Sequence, residues 1–170
     1  MSTSNVTIRY ALGACALGQV LLAANETGVC AILLGDDADG LARDLRERFP
    51  EARLAGGDAA CARWLAEIAR FVEAPGRGLD LTLDARGTAF QRRVWQALRD
   101  IPAGSTASYG EVARMIGAPG AARAVARACA ANPIAVAIPC HRVVRNDRTL
   151  SGYRWGAGRK RALLAREAAA

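Results

Sequence analysis

The segment AARAVARACAANPIAVAIPCHRVVRN, residues 121–146, sets the reading of the C-terminal half. It opens as a helix in which nearly every side chain is small. The long ones are Arg123 and Arg127, four residues apart and so on one face. The helix breaks at Asn132-Pro133 and gives way to the apolar run IAVAIP. The run ends on Cys140, and next to it stands His141, the single histidine of the chain. Upstream, Ser108 is an N-cap candidate for a helix over about Tyr109–Ile116. The turn Gly117-Ala118-Pro119-Gly120 then leads into the second helix, about Ala121–Ala131. Two short helices around a glycine-containing turn fit a helix-turn-helix. A helix of alanines around two arginines can approach a bulky anionic partner closely. Alone, the pattern also fits an ordinary αα-corner with solvated arginines.

Around this segment the chain reads as two parts. VTIRYALG, QVLLAANETG and VCAILLG are short strands punctuated by turn residues, which suggests an antiparallel meander. DADGLARDLRERFP places Leu41, Leu45 and Phe49 on one helical stripe. DAACARWLAEIARFVEAP does the same with Cys61, Leu65, Ile68 and Val72. PGRGLDLTLDARG, 75–87, reads as an extended linker at a domain boundary. Beyond it, GTAFQRRVWQALRDIP is a helix capped by Thr88, with Phe90, Val94, Trp95 and Leu98 inward. GAGRKRALLAREAAA forms the last helix.

Composition narrows the function classes. The chain has 170 residues, 52% of them hydrophobic, enough to bury a core in one domain or two small ones. Basic residues number 23 against 16 acidic, a net charge of +7, and Lys160 is the one lysine. Such a surplus suits an anionic partner, nucleic acid first, although solubility charge gives the same sum. No window is apolar enough to span a membrane. MSTSNVTIRYALG shows no leader pattern, so the expected place is the cytoplasm, where thiols stay reduced. The five cysteines contain no C-x-x-C pair, and with one histidine they argue against a structural zinc site. Four of them read as small buried hydrophobes.

Cys140 is different. A thiol attacks as its thiolate, and a neighbouring base is needed to make one near neutral pH. In an extended segment adjacent side chains point apart, so contact with His141 needs a turn or a bridging water. A third group would orient the imidazole, and Asp147 and Glu167 are the downstream carboxylates. Asn132 at the joint can tie down backbone groups. A buried nucleophile behind a groove-reading helix suits a substrate atom on a base turned out of a duplex.

The stretches from GTAFQRRVWQ to PCHRVVRN and LSGYRWGAGRKRALLARE together resemble the O6-alkylguanine-DNA alkyltransferases. Within that family the likeness is to the C-terminal domain of the Ada adaptive-response protein, and VCAILLGDD adds to it. PCHR with NPI, RAV, SY and GYRWG carries the resemblance. It implies an α/β (α+β) fold in two domains. Residues 1–80 would form a ribonuclease-H-like domain with a small antiparallel sheet. Residues 81–170 would form a winged-helix-like helix-turn-helix alkyltransferase domain.

The implied activity is direct-reversal repair of DNA. A monomer binds the minor groove of double-stranded DNA, with cooperative assembly left open. It flips O6-alkylguanine out and moves the alkyl group to Cys140 in a single turnover, giving S-methylcysteine. O4-methylthymine stays open as a second lesion. Neither metal nor cofactor is implied. By the same resemblance, His141 polarises Cys140 through a water and is held by Glu167, and Asn132 is the hinge. Arg123 replaces the flipped base in the stack, with Ala124 and Arg127 beside it on the DNA-facing helix. Tyr109 contacts the base and a phosphate. The Val143 carbonyl meets the guanine amino group, and Tyr153 and Arg154 lie on a covering loop. A tyrosine hydroxyl is the proton donor to the leaving guanine.

Two positions depart from the family pattern. Arg148 stands where glycine is usual, which predicts an altered or strained turn if φ is positive there. Trp155 is expected to narrow the pocket against bulky alkyl groups. No metal-binding regulatory segment is read in the 170 residues, so transcriptional activation is not expected of them. Two other readings compete. A lesion-binding relative without transfer would lack the motif cysteine, and Cys140 is present. A general helix-turn-helix regulator leaves Asn132, His141 and Glu167 unexplained.

Overall fold

The computed structural model describes residues 6–170. Residues 1–5 begin both the expected first domain and the segment read as having no leader, and they lie outside the described residues. The N-terminal half is a four-stranded sheet with two helices. Strands β1 (Thr7–Cys15), β2 (Gly18–Ala24) and β3 (Val29–Gly35) form the expected antiparallel meander. Asn25 makes the β2–β3 turn. Its side-chain oxygen accepts from the backbone N–H groups of Thr27 (2.9 Å) and Gly28 (3.1 Å), an Asx turn. Gly28 has no room for a side chain, because a Cβ there would lie 2.6 Å from the Thr82 carbonyl oxygen.

Helix α1 (Ala38–Arg48) starts at the Asp37 cap and buries Leu41 and Leu45. A fourth strand, β4 (Arg53–Gly56), then pairs in parallel with β1. The sheet order β3-β2-β1-β4 is the ribonuclease-H-like arrangement. The four residues RLAG are too short to show an alternation, so β4 has no signal in the sequence. Helix α2 (Ala59–Glu73) is capped by Asp58 and buries Cys61, Ile68, Phe71 and Val72. Leu65 of the expected stripe is half-buried.

The stretch 75–87 is more than a linker. After a 3-10 turn at Pro75–Arg77 it docks on the outer edge of β3. Val29 N–H donates to the Thr82 carbonyl and Asp84 N–H to the Val29 carbonyl, each at 2.8 Å. The unpaired edge of β3 supplies the partners that these backbone groups need.

The C-terminal half is helical. Helix α3 (Ala89–Arg99) opens with a capping box between Thr88 and Gln91 and buries Val94, Trp95, Ala97 and Leu98. Strand β5 (Ala107–Ser108) leads into α4 (Tyr109–Met115), capped by a second box between Ser108 and Glu111. After the turn at 117–120 comes α5 (Ala122–Ala130). The pair α4–α5 is the helix-turn-helix. Its winged part is small, a two-residue parallel ladder of β5 with β6 (Val143–Val144). Helix α6 (Ala157–Ala168) closes the chain and buries Lys160, Leu163 and Glu167. Among the described residues no helix is long and apolar enough to cross a membrane.

By its apolar, β-branched residues the run after Asn132-Pro133 reads as a strand leading to the thiol. In the fold the run 134–138 is not a strand. It makes one isolated bridge, Ile134 with Ile32 of β3, and then curls through turns in which Val136 has φ +70°. Asn132 is the reason. Its side-chain oxygen accepts from Ile134 N–H and its amide donates to the Ile138 carbonyl, both at 2.9 Å. Extended, those four steps would span about 13 Å, too far for one amide to hold both ends.

Candidate active site

The curled run delivers Cys140 into a 3-10 turn, Cys140–Arg142. The turn lets neighbouring residues serve one site, which an extended strand would prevent. Cys140 Sγ accepts from Asn132 Nδ2 at 3.2 Å. The asparagine therefore holds the loop ends and the sulfur together, and the bond to sulfur was not foreseen from sequence. The thiol is 4% exposed. Burial pushes its pKa up to about 11, against the pull of the Asn132 hydrogen bond and the Lys160 charge. A thiol so held is protonated near neutral pH, and a base must take its proton before the sulfur can act as a nucleophile.

His141 is fully buried beside it. Its Nε2 bonds to Glu167 Oε1 across the gap to α6. Burial lowers the imidazole pKa below its ordinary 6.5, with Glu167 opposing. Burial alone would raise Glu167, but hydrogen bonds from His141 and Arg142 outweigh it and hold the carboxyl below its ordinary 4.5. An ionised Glu167 can only accept, so Nε2 carries the proton. Nδ1 is then the basic nitrogen. It is buried and has no hydrogen-bond partner among the described residues.

Above the thiol lies a pocket of about 340 Å³. Ala126, Cys129 and Ala130 of α5 form one wall, Tyr109 of α4 another, and Gly152, Tyr153 and Arg154 the rim, with Cys140 between them. The Tyr109 hydroxyl shares a 2.5 Å hydrogen bond with Ser151 Oγ. Lys160 Nζ donates to that same Ser151 oxygen (2.9 Å) and to the Val143 carbonyl (2.7 Å). Tyr153 presents a buried hydroxyl that has no partner among the described residues. Burial raises the pKa of both tyrosines, Tyr153 well above 10. They stay protonated near neutral pH and able to donate.

The other expected site residues fall into two groups. Arg123 and Arg127 are exposed on one face of α5, and Ala124 is half-buried between them. Arg154 reaches back and donates to the Asn132 carbonyl at 3.1 Å. Trp155 does not line the pocket, contrary to expectation. It is buried behind the rim, edge-on to Tyr153 with ring centroids 5.3 Å apart, and the Arg154 guanidinium lies over its ring. Its size therefore acts on the covering loop and not on the pocket directly. Arg148 adopts φ +67°, as the departure from glycine implied, and its side chain pairs with Glu111 of α4.

A family model described as the DNA binding domain of 6-O-methylguanine DNA methyltransferase matches residues 89–169. The crystal structure of Mycobacterium tuberculosis O6-methylguanine methyltransferase superposes with a TM-score of 0.76 at 36% identity, over 95% of this chain and 93% of that one. This chain belongs to the O6-methylguanine methyltransferase family. The M. tuberculosis OGT structure in complex with DNA gives a TM-score of 0.78 at 37% identity, over 96% and 94% of the two chains. The Escherichia coli K12 bifunctional transcriptional activator/DNA repair enzyme Ada is 54% identical over 164 residues, 96% of this chain and 46% of that protein. The chain spans about half the length of the curated relatives it matches.

Three residues of this family member's site escaped sequence reasoning. Lys160 had a signal, as the one lysine among 23 basic residues. Arg142 had a weaker one, its place next to His141. Ser151 had none, because a serine in a polar loop is ordinary.

Proposed function

We propose that this chain repairs alkylated DNA by moving the alkyl group from O6-alkylguanine to its own Cys140, once per molecule. The observation that carries the reading is the placement of the thiol. It lies at the floor of a pocket walled by α5, beside a neutral imidazole whose orientation an ionised carboxylate fixes.

Roles follow from chemistry. His141 Nδ1 takes the Cys140 proton, through a water on the path the family implies. The sulfur attacks the O6-bound alkyl carbon, the S–C bond forms, and the C–O bond breaks with its electrons going to O6. A proton returns to the departing guanine from a tyrosine hydroxyl, Tyr109 or Tyr153. The proton held on His141 then returns to the tyrosinate, so that one proton passes in net from the thiol to guanine and the thioether remains on the protein. Asn132 holds the sulfur in line. The second lone pair of the Val143 carbonyl receives the guanine amino group, and Arg154 closes the rim.

DNA is the partner because α5 carries Arg123 and Arg127 outward over a surface of alanines. Arg123 fills the gap left by the flipped guanine, while Ala124 and Arg127 lie against the backbone in the minor groove. In this division of labour residues 81–170 bind DNA and react, and residues 1–80 support them through the edge of β3. The five cysteines are all free, which suits a reducing cytoplasm. The test is a duplex bearing one O6-methylguanine. Mixed with an equal amount of protein and digested to nucleosides, it should return plain guanine, mole for mole. Unchanged O6-methylguanine with the protein bound would favour lesion recognition without transfer.

A further inference from the structure

Arg142 is buried directly against Glu167. Its Nε donates to Oε2 at 2.8 Å and to Oε1 at 3.2 Å, and its Nη2 to Oε1 at 3.1 Å. Its Nη1 donates to the Ile101 carbonyl at 2.6 Å. That last bond anchors the guanidinium to the turn just after α3, so it does not swing with the carboxylate. Glu167 Oε1 thus lies between a fixed cation and the ring of His141.

We infer that Arg142 is a positioning residue for proton transfer, one that compensates the charge of Glu167 so that His141 waits as a neutral Nε2–H base. The inference rests on the alkyl-transfer reading. A buried carboxylate facing an imidazole alone would draw a proton onto it and hold it there. An imidazolium cannot take the proton of Cys140. A carboxylate already paired with a guanidinium orients the ring but attracts that proton less strongly. The fork also keeps Glu167 ionised, which fixes the tautomer.

The groups acting on His141 are few. Glu167 and Lys160 reach it from α6, and Arg142 from its own turn. The Cys140 thiol precedes it. Helix α3, which also packs on this turn, buries only Val94, Trp95, Ala97 and Leu98. Glu167 favours the charged ring, while Arg142, Lys160 and burial disfavour it. Removing Arg142 deletes one of the two opposing charges and releases the carboxylate.

Because His141 is the single histidine, ring-nitrogen NMR of protein labelled at histidine reads its titration and tautomer without assignment. In the unaltered chain the ring should be neutral, with the proton on Nε2, and should titrate below 6.5. In Arg142→Met the titration should move upward by about one unit or more. Methyl transfer by that variant should then slow on acidification through the new value, over a range where the unaltered chain is flat. Arg142→Lys sets one ammonium against one oxygen and should shift the titration in the same direction by less. If Arg142→Met does not fold, Arg142→Lys is read alone. A titration and tautomer unchanged from the unaltered chain, in whichever variant folds, would overturn the inference. The ring titration needs no substrate. Failure of the unaltered chain to take up methyl therefore strikes the transfer reading, and an unmoved titration strikes Arg142.

Discussion

Asn132 makes three hydrogen bonds with one side chain, to Ile134 N–H, to the Ile138 carbonyl and to Cys140 Sγ. All lie in a fully buried place, where water cannot replace them. Asn132→Ala strands Ile134 N–H, leaves the Ile138 carbonyl with the Cys140 N–H alone, and frees the sulfur. An unsatisfied buried group costs about 1–3 kcal/mol, so urea unfolding should show a loss of at least about 1–3 kcal/mol. Asn132→Asp separates fold from chemistry. The carboxylate still accepts from Ile134 but repels both the Ile138 carbonyl and a developing thiolate. It should slow methyl transfer more than tenfold in any sample that folds. Transfer at the unaltered rate in folded Asn132→Asp would show that the sulfur does not depend on this contact.

At the scale of elements, turn chemistry made much of the chain legible. Thr88 and Ser108 cap the helices they were read to cap, and Asp37, not read as a cap, does the same for α1. The helix-turn-helix lies where glycine, proline and short apolar stripes placed it. What stayed hidden was set by tertiary contacts. Strand β4 exists because β1 offers it an edge. The run 134–138 is apolar and β-branched like a strand, yet Asn132 curls it. Glu167 could be paired with His141 by resemblance, whereas its fork to Arg142 depends on how α6 lies across the turn.

The loop after β6 gives a prediction of its own. Asn146 accepts from Gly110 N–H at 3.2 Å and Arg148 pairs with Glu111, so the loop grips the first turn of α4. Arg148 does this at φ +67°, where a non-glycine residue costs about 1 kcal/mol. Its exposed ion pair, screened by solvent, returns little. Arg148→Gly should therefore leave the thermal midpoint level or slightly raised. Arg148→Val, branched at Cβ and uncharged, should lower it. A midpoint lowered as far by glycine as by valine would mean that the ion pair, and not the backbone, governs this turn.

Across the whole molecule, the edge of β3 joins the two halves. It takes up the 82–84 stretch at Val29. At Ile32 it exchanges bonds with the Pro133 carbonyl (3.0 Å) and Ala135 N–H (2.9 Å). Arg159 of α6 adds bonds to the Leu17 carbonyl (2.9 Å) and to Asp36 (2.5 Å). The sheet thus fixes the start of the loop that carries the thiol, directly after the end of α5.

The buried network also sets how global stability responds to pH. His141 and Glu167 both have folded pKa values below their ordinary 6.5 and 4.5. Between the folded and unfolded values the unfolded chain binds more protons, so stability rises with pH there. Chemical unfolding should show stability level from about pH 6.5 to about 8, falling as the pH drops below that range and falling further below about 4.5. His141→Gln should remove the upper part of that dependence, and its persistence would assign it elsewhere.

In the proposed reaction Cys140 accepts the alkyl group, and peptide mass spectrometry reads that directly. The purified chain is mixed with an excess of duplex carrying one O6-methylguanine and then digested. The expected result is one methyl per protein, on the Cys140 peptide alone, with none in Cys140→Ala. Methyl on another residue, or none on a folded chain that binds the lesion, would contradict it.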